Sequence, residues 1–350
     1  MTDAPRLWIR HEVRSTERRT AIVPADARSL VQAGIPVTVE DSPQRVFPIA
    51  DYAAAGCRIA VPGSWVDAPG DEFIVGLKEL PDAPAALHHR HVFFGHAYKG
   101  QRGASQLLRR FTAGGGTLFD LEYLVDARGH RLAAFGYWAG YVGAALAVLH
   151  HRGQLSSPLQ PLAKESLDAA LTPPRRVVPP SALVIGAFGR CGRGAQAALV
   201  AAGIQPTCWG LEQTWKLNRA ALLEHDILIN AVLITTPVPP FLVPADLDDP
   251  GRRLTVVSDV TCDVTSACNM LPINDRTTSW SAPARRLHER LGPLDVPLDI
   301  IAIDNLPALL PREASVAFSA ELLPHLGSVG ASAPWQRCRQ AFHRELARAG

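Results

Sequence analysis

The strongest indication of fold in the sequence is the stretch ALVIGAFGRCGRGAQAALVAAG, residues 182–203. An apolar run leads into Gly186, Gly189, Gly192 and Gly194 and then into an alanine-rich segment, which predicts a strand, a tight turn and a helix. Glycine takes positive φ and lets backbone approach a pyrophosphate, and a helix N-terminus offers free N–H groups. The stretch therefore predicts a dinucleotide site. Its spacing, G-x-x-G-x-x-G, is a variant of the usual fingerprint and also suits a turn that only packs helix on strand.

The segments after this stretch predict the rest of a sheet. Residues 204–209 and 226–234 predict the second and third strands, and residues 253–260 and 298–303 are apolar runs without alternation. Such runs are typical of a parallel sheet covered on both faces. Strands that alternate with helical stretches predict a doubly wound α/β domain.

Length and composition exclude several classes of protein. At 350 residues the chain predicts about two domains. It is 47% hydrophobic and 19% charged with a formal charge of +2, which gives no nucleic-acid footprint. The N-terminus lacks an apolar signal region, and residues 132–149 predict a buried helix better than a membrane span. Six cysteines without metal spacing predict a cytoplasmic protein with reduced thiols and no metal.

The N-terminal part carries a dense charged segment, RHEVRSTERR, at residues 10–19. It follows a predicted strand at residues 7–9 and precedes a helix that we expect Asp26 to cap and Gly34 to end. A cationic loop in that place can hold an anionic substrate, and it can equally be a solvated loop.

Two apolar runs end in polar residues in the same way. Residues 73–77 lead into Lys78 and Glu79, and residues 92–94 lead into Gly95 and His96. Open α/β sheets bind ligands at the carboxyl ends of their strands, so a shared cleft is one interpretation. Simple solvent exposure at a strand end is the other.

The end of the chain predicts a turn and then helices. Residues 116–124 predict a further strand that carries Glu122, residues 306–315 a turn, and residues 316–349 a largely helical tail. Six apolar residues of the tail are expected in a core: Phe318, Leu322, Leu323, Trp335, Phe342 and Leu346.

Several motifs carry a family resemblance. WIRHEVRSTERRTAIVP, FIVGLKELP, FGHAYKGQ, RLAAFGYWAGYVGAAL, VIGAFGRCGRGA and IDNLPALLPREAS closely resemble the NAD-dependent, lysine-forming saccharopine dehydrogenases, which are related to alanine dehydrogenase. The resemblance implies two Rossmann-like domains with doubly wound, mostly parallel sheets and an active-site cleft between them. It implies a discontinuous substrate domain, residues 1–135 plus 316–350, and a dinucleotide-binding domain, residues 136–315. A monomer or a dimer fits the resemblance.

The resemblance also implies an activity and residue roles. The family interconverts saccharopine with L-lysine and 2-oxoglutarate through an imine. Lys78 and His96 match its catalytic residues, with Glu79 and Glu122 tuning their pKa values. The expected substrate contacts are Arg19, Lys99, Gln101, Glu122, Arg131, Phe135, Thr261, Cys262 and Asp263. The expected cofactor contacts are Gly186, Gly189, Arg190, Gly192, Thr214, Leu233, Val260, Ile303, Asp304, Asn305 and Leu306.

The sequence departs from the family on the cofactor side. Gly210 stands where a dinucleotide site usually has an acidic residue for the ribose hydroxyls. Glu212 could reach back, or the gap could admit a 2′-phosphate beside Arg190 or Arg193. NAD is favoured and NADP stays open. Asn305 replaces the family's histidine, Ala231 its cysteine and Leu233 its tyrosine. The alternatives are therefore an opine-type reductive aminase for another amine, or a non-catalytic homologue.

Overall fold

The computed structural model describes residues 4–98, 103–173, 178–234, 236–289 and 296–349. Its contacts divide the chain into two compact units. The first comprises Met1–Ala134 with Pro311–Gly350, and the second comprises Phe135–Leu310.

The described strands follow one another along the chain and are short. They are β1 (Arg6–Ile9), β2 (Val37–Glu40), β3 (Arg58–Ala60), β4 (Glu72–Val75), β5 (Arg90–Phe93), β6 (Thr117–Asp120), β7 (Ala182–Ile185), β8 (Thr207–Trp209), β9 (Ile227–Asn230), β10 (Val256–Asp259), β11 (Arg285–His288) and β12 (Leu298–Ile301).

The described helices lie between and after these strands. They are α1 (Pro24–Gln32), α2 (Ile49–Ala54), α3 (Ala104–Gly114), α4 (Gly136–His151), α5 (Lys164–Leu171), α6 (Arg190–Ala201), α7 (Leu211–Trp215), α8 (Arg219–Leu223), α9 (Pro311–Leu326) and α10 (Ala333–Ala349).

Each unit has its own six-stranded sheet. The first has the order β3-β2-β1-β4-β5-β6, and every pair in it is parallel. The second has the order β11-β12-β10-β9-β7-β8 and is parallel except for the edge strand β11. The predicted α/β class with two doubly wound, mostly parallel sheets is confirmed. In each sheet the order reverses beside the first strand, which is where such folds bind ligands.

Helix α4 is buried because it packs backbone to backbone on α6. A Cβ on Gly140 would lie 1.8 Å from the carbonyl oxygen of Cys191, and a Cβ on Gly194 would lie 1.9 Å from that of Tyr137. Ten residues of α4 are buried, which confirms the expected buried helix. Across the described ranges, no helix combines the length and apolarity that crossing a membrane requires.

Three local predictions were wrong. Asp26 does not cap α1, because the helix begins at Pro24, whose missing N–H suits the first turn; Asp26 accepts a hydrogen bond from Ser319 instead (2.5 Å). The predicted strand at residues 116–124 ends at Asp120 and continues as a 3-10 turn, Leu121–Tyr123. The predicted turn at residues 306–315 is a 3-10 turn, Leu306–Leu309, followed by α9, which begins at Pro311.

The helical tail packs largely as expected. Four of its six predicted core residues are buried, whereas Leu323 and Leu346 are half-buried. Phe342 meets Phe111 of α3 edge-on at 5.3 Å, and Trp335 meets Phe119 of β6 at 6.0 Å. The tail therefore completes the core of the first unit.

Candidate active site

The carboxyl ends of β1 and β4 lie side by side in the first sheet, where the strand order reverses. Strand β1 leads into Arg10 and Glu12, and β4 leads into Gly76, Leu77 and Lys78. The two strands are parallel, so these segments emerge at the same edge of the sheet. Lys78, predicted from sequence as the catalytic lysine, therefore lies at the switch point of its unit.

The backbone around Lys78 is held by two buried side chains. The N–H groups of Leu77 and Lys78 donate to the Glu12 carboxylate (2.7 and 3.0 Å), and the Arg10 guanidinium donates to the Lys78 carbonyl. Arg10 and Glu12 also pair with each other at 3.3 Å. Lys78 itself is half-buried.

A second buried ion pair lies in the same charged segment. Arg19 donates to both oxygens of Glu17 through Nε and Nη2 (2.8 and 2.6 Å). Burial favours the neutral carboxyl, but the charge and hydrogen bonds of Arg19, with the charge of Lys78, outweigh it and lower the pKa of Glu17. Glu17 thus holds the Arg19 guanidinium in one orientation.

Glu79 forms an ion pair with Arg14. Arg14 donates to both of its carboxylate oxygens (2.8 and 3.0 Å) in a half-exposed pair. Partial burial raises the pKa of Glu79, yet the hydrogen bonds and charge of Arg14, with the charge of Lys78, leave it below its ordinary value. Glu79 is therefore an anion close to Lys78.

His96 follows β5 in a strained conformation. Its φ is 47°, in the left-handed region, and its ring Nδ1 lies 3.9 Å from Glu122 Oε2. Glu122 is placed by Asp120, whose carboxylate accepts from the Glu122 N–H (2.9 Å). Non-glycine residues in this region are uncommon, and such strain is enriched at active sites. The structure brings His96 and Glu122, both predicted from sequence, within reach of each other.

Other predicted substrate residues are spread over the chain. Arg131 is exposed in a short bridge with Val125, and Phe135 precedes the first residue of α4 in the second unit. Lys99 and Gln101 lie outside the described residues.

Residues 261–263 follow β10 in the second unit. Thr261 Oγ1 donates to the Val232 carbonyl (2.9 Å), Cys262 has a φ of 55°, and Asp263 accepts from Ser266 (2.7 Å). Burial raises the pKa of the Cys262 thiol, as do the charges of Asp259 and Asp304. Cys262 is accordingly a neutral thiol rather than a nucleophilic thiolate.

The glycines of the turn in the second unit differ in the steric constraints on them. Gly186 has a φ of 77°, and a Cβ on Gly192 would lie 2.2 Å from the Gly186 carbonyl oxygen. By contrast, a Cβ on Gly189, which precedes the first turn of α6, would have only that oxygen of the described residues near it, at 3.4 Å. The turn is tight on its inner side and open at the helix N-terminus, as a phosphate group requires.

A pocket of about 450 Å³ opens beside this turn. It includes Gly186 and Thr214 of the predicted cofactor residues, together with Gly210. The other described lining residues are apolar: Leu211, Trp215, Leu217, Val232, Ile234, Val238, Pro239 and Phe241. The pocket has the size and lining for a flat, largely apolar group such as a nucleobase.

The remaining predicted cofactor residues differ in exposure. Val260 and Leu306 both approach Gly143 of α4, where a Cβ would lie 2.7 and 3.3 Å from their side chains. Ile303, Asn305 and Leu306 are buried after β12, whereas Leu233 and Asp304 are exposed. Arg190 is half-buried at the start of α6.

Sequence reasoning missed the roles of Arg10, Glu12, Arg14 and Glu17. It treated residues 10–19 as one cationic loop, either solvated or anion-binding. In the structure the acidic residues of the segment pair with its arginines. The available signal was the placement of glutamates among arginines two or three positions apart, without a helical pattern.

The chain resembles known proteins over almost its whole length. A family model described as alanine dehydrogenase/PNT, N-terminal domain, matches residues 8–142. The chain is 38% identical over 367 residues to a saccharopine dehydrogenase (NAD+, L-lysine-forming) of Emericella nidulans, covering 98% of this chain and 97% of that protein. It is 40% identical over 367 residues to the Neurospora crassa protein of the same name, covering 97% and 96%.

Solved structures support the fold. The chain superposes on an L-alanine dehydrogenase with a TM-score of 0.67 at 20% identity, covering 97% of this chain and 93% of that one. It superposes on a transhydrogenase from Sinorhizobium meliloti with a TM-score of 0.63 at 18% identity, covering 92% and 93%. The sequence identities, over nearly the full length of both chains, establish that the chain belongs to the NAD-dependent, L-lysine-forming saccharopine dehydrogenase family of oxidoreductases.

Proposed function

We propose that this protein interconverts saccharopine with L-lysine and 2-oxoglutarate, the reaction for which its relatives are named. The observation that carries the proposal is the set of proton-transfer groups in the first unit. Lys78 is held at the switch point of the sheet, and His96 lies beside the Glu122 carboxylate. We assign substrate binding and proton transfer to this unit and dinucleotide binding to the second.

The chemistry needs two proton-transfer groups. A nicotinamide dinucleotide held by the second unit would supply the hydride acceptor for the α-carbon of the glutaryl part of saccharopine. Lys78 takes the proton from the secondary amine as the C=N bond forms. His96 removes a proton from the water that adds to the imine and returns it to the amine nitrogen of the carbinolamine. The C–N bond then breaks as the carbinolamine hydroxyl loses its proton and becomes the keto group, which gives lysine and the keto acid.

Cationic side chains would bind the substrate carboxylates. Arg131 is exposed, and Arg19 is fixed in orientation by Glu17. A guanidinium held in one orientation by a partner places a carboxylate more precisely than a mobile lysine does. Such positioning supplies roughly 7–11 kcal/mol of a barrier in well-oriented systems.

The residues of the second unit fit a dinucleotide, and NAD is the form that we propose. The open N-terminus of α6 suits the pyrophosphate, and the apolar pocket suits the adenine. The relatives are named for NAD+. Arg193, one of the two candidates for a 2′-phosphate, donates to the Phe188 carbonyl (2.9 Å), which favours NAD.

We place the protein in a reducing cytoplasm, as a monomer or dimer, because six cysteines without metal-ligand spacing are typical of reduced thiols.

The test is a reductive condensation assay. Purified protein is mixed with lysine and 2-oxoglutarate, with NADH and NADPH in parallel, and nicotinamide absorbance is followed. Faster loss with NADH supports both parts of the proposal. Turnover only with a different amine would identify an opine-type reductive aminase instead, and absence of dinucleotide binding would identify a non-catalytic homologue.

A further inference from the structure

The segment after β4 is held from two directions by one buried ion pair. Glu12, 5% exposed, accepts the N–H groups of Leu77 and Lys78, and Arg10, 1% exposed, donates to the Lys78 carbonyl. The contacts reach both sides of the Lys78 peptide backbone. The pair thereby fixes where the Lys78 side chain begins.

The Arg10 guanidinium packs tightly against Gly76. A Cβ on Gly76 would lie 2.4 Å from Nε and 2.5 Å from Cζ of Arg10, so the position next to β4 must be glycine for the guanidinium to pass. The guanidinium also lies over the Phe93 ring, 5.7 Å from its centre. Arg10 is thus held by strand β5 as well as by Glu12.

Burial of such a pair is costly for folding. A hydrophobic pair of similar volume is often as stable or more stable, so a buried ion pair is weak evidence for stability alone. Here both charged groups contact the Lys78 backbone: Glu12 accepts its N–H together with that of Leu77, and Arg10 donates to its carbonyl and to that of His11. A role of Arg10 and Glu12 in positioning Lys78 explains that geometry.

We propose that Arg10 and Glu12 are positioning residues for Lys78: they hold its backbone so that its amine meets the substrate amine. The inference rests on the proposed role of Lys78 as the base. Neither residue exchanges protons with substrate in this account. Each acts through the Lys78 peptide, and loss of either should affect the chemical step more than substrate binding.

The test compares Glu12→Gln with a matched control, Glu40→Gln. Glu40 is also a fully buried glutamate that accepts backbone N–H groups, from His11, Gly63 and Trp65, but none from the Lys78 segment. Gln at position 12 loses one of its two acceptor oxygens. We expect kcat of Glu12→Gln to fall about 100-fold, with KM for lysine and 2-oxoglutarate within about threefold of the parent. Glu40→Gln should keep kcat within about threefold of the parent wherever it folds.

A second readout does not depend on the substrate. Acetic anhydride labelling followed by peptide mass spectrometry measures the reactivity of Lys78 relative to exposed Lys216. We expect Glu12→Gln to change the Lys78 to Lys216 ratio and Glu40→Gln to leave it unchanged. If Glu12→Gln does not fold, Arg10→Lys is measured in its place with the same expectations, because lysine keeps the charge but carries its donors on a single nitrogen.

Equal kcat and equal labelling ratios in both variants would overturn the inference. A parent protein that is inactive with lysine and 2-oxoglutarate would instead overturn the proposed reaction, and the labelling ratio would still decide the positioning role.

Discussion

The ring of Phe188 lies directly against Gly210. A Cβ on Gly210 would lie 2.8 Å from two of the ring carbons, although φ at this position (−104°) suits any residue. The ring therefore occupies the space of the acidic side chain that usually binds the ribose hydroxyls after the second strand.

The contact between Phe188 and Gly210 predicts that Gly210→Asp changes cofactor affinity only when Phe188 is also replaced. Gly210→Asp alone should give no gain in NADH affinity, because the carboxylate meets the Phe188 ring. With Phe188→Ala added, the carboxylate gains room and should favour NADH over NADPH by about tenfold, as a charge-assisted hydrogen bond predicts. Fluorescence titration of both dinucleotides measures this, with Phe188→Ala alone as the control. An equal gain in the Gly210→Asp single variant would refute the steric argument.

Two of the Arg–Glu pairs that involve the charged segment should differ in their contribution to stability. Glu17→Gln leaves Arg19 buried with its partner charge removed and should lower the free energy of unfolding by about 3–5 kcal/mol. Glu79→Gln in the half-exposed pair with Arg14 should lower it by about 0–1 kcal/mol. Urea denaturation at neutral pH measures both values. Comparable losses would mean that burial does not set the strength of these pairs.

Acid pH should act on stability through His91. This residue is completely buried, and neither of its ring nitrogens has a hydrogen-bond partner among the described residues. Burial lowers its pKa well below 6.5, with help from the charge of Arg10. Since the unfolded chain binds the proton more readily, stability is fully present above about pH 6.5 and falls as the pH drops.

His91→Leu should remove up to about 1.4 kcal/mol of that loss per pH unit. The measurement is urea unfolding of parent and variant between neutral and mildly acidic pH. Parallel stability curves for the two proteins would show that another group is responsible.

Two glycines should respond in opposite ways. Gly140→Ala places a methyl group 1.8 Å from a carbonyl oxygen of α6, so the second unit should be strongly destabilised. Gly189→Ala places its methyl group 3.4 Å from the nearest atom in the described part of the chain, so it should fold normally while weakening dinucleotide binding at the N-terminus of α6. Thermal melting with and without NADH separates the two effects. A normal melting temperature for Gly140→Ala would contradict the close packing.

The sequence predicts the parts of the fold that depend on local pattern. The core strands and the long helices α4 and α6 follow from apolar runs and glycines. Strands β3 and β11 escape such reasoning because they lie at sheet edges and carry arginines, as in RRLH of β11. The turn predicted at residues 306–315 is wrong because the prolines of this segment, including Pro311, suggest a turn. A proline also suits the first turn of a helix.

The site is predictable only in part for a physical reason. Lys78 and His96 can be found because strand ends bind ligands. The contacts of Glu12 with Leu77 and of Phe188 with Gly210 join residues 65 and 22 positions apart, and no local pattern encodes them. They arise from packing between elements.

The proposed reaction depends on Lys78 as its base. Comparing the parent protein with Lys78→Met tests this role: loss of NADH absorbance with lysine and 2-oxoglutarate is measured beside melting temperature and NADH affinity. We expect kcat to fall by at least about 100-fold, while melting temperature and NADH affinity stay close to those of the parent. Undiminished turnover in Lys78→Met would contradict it.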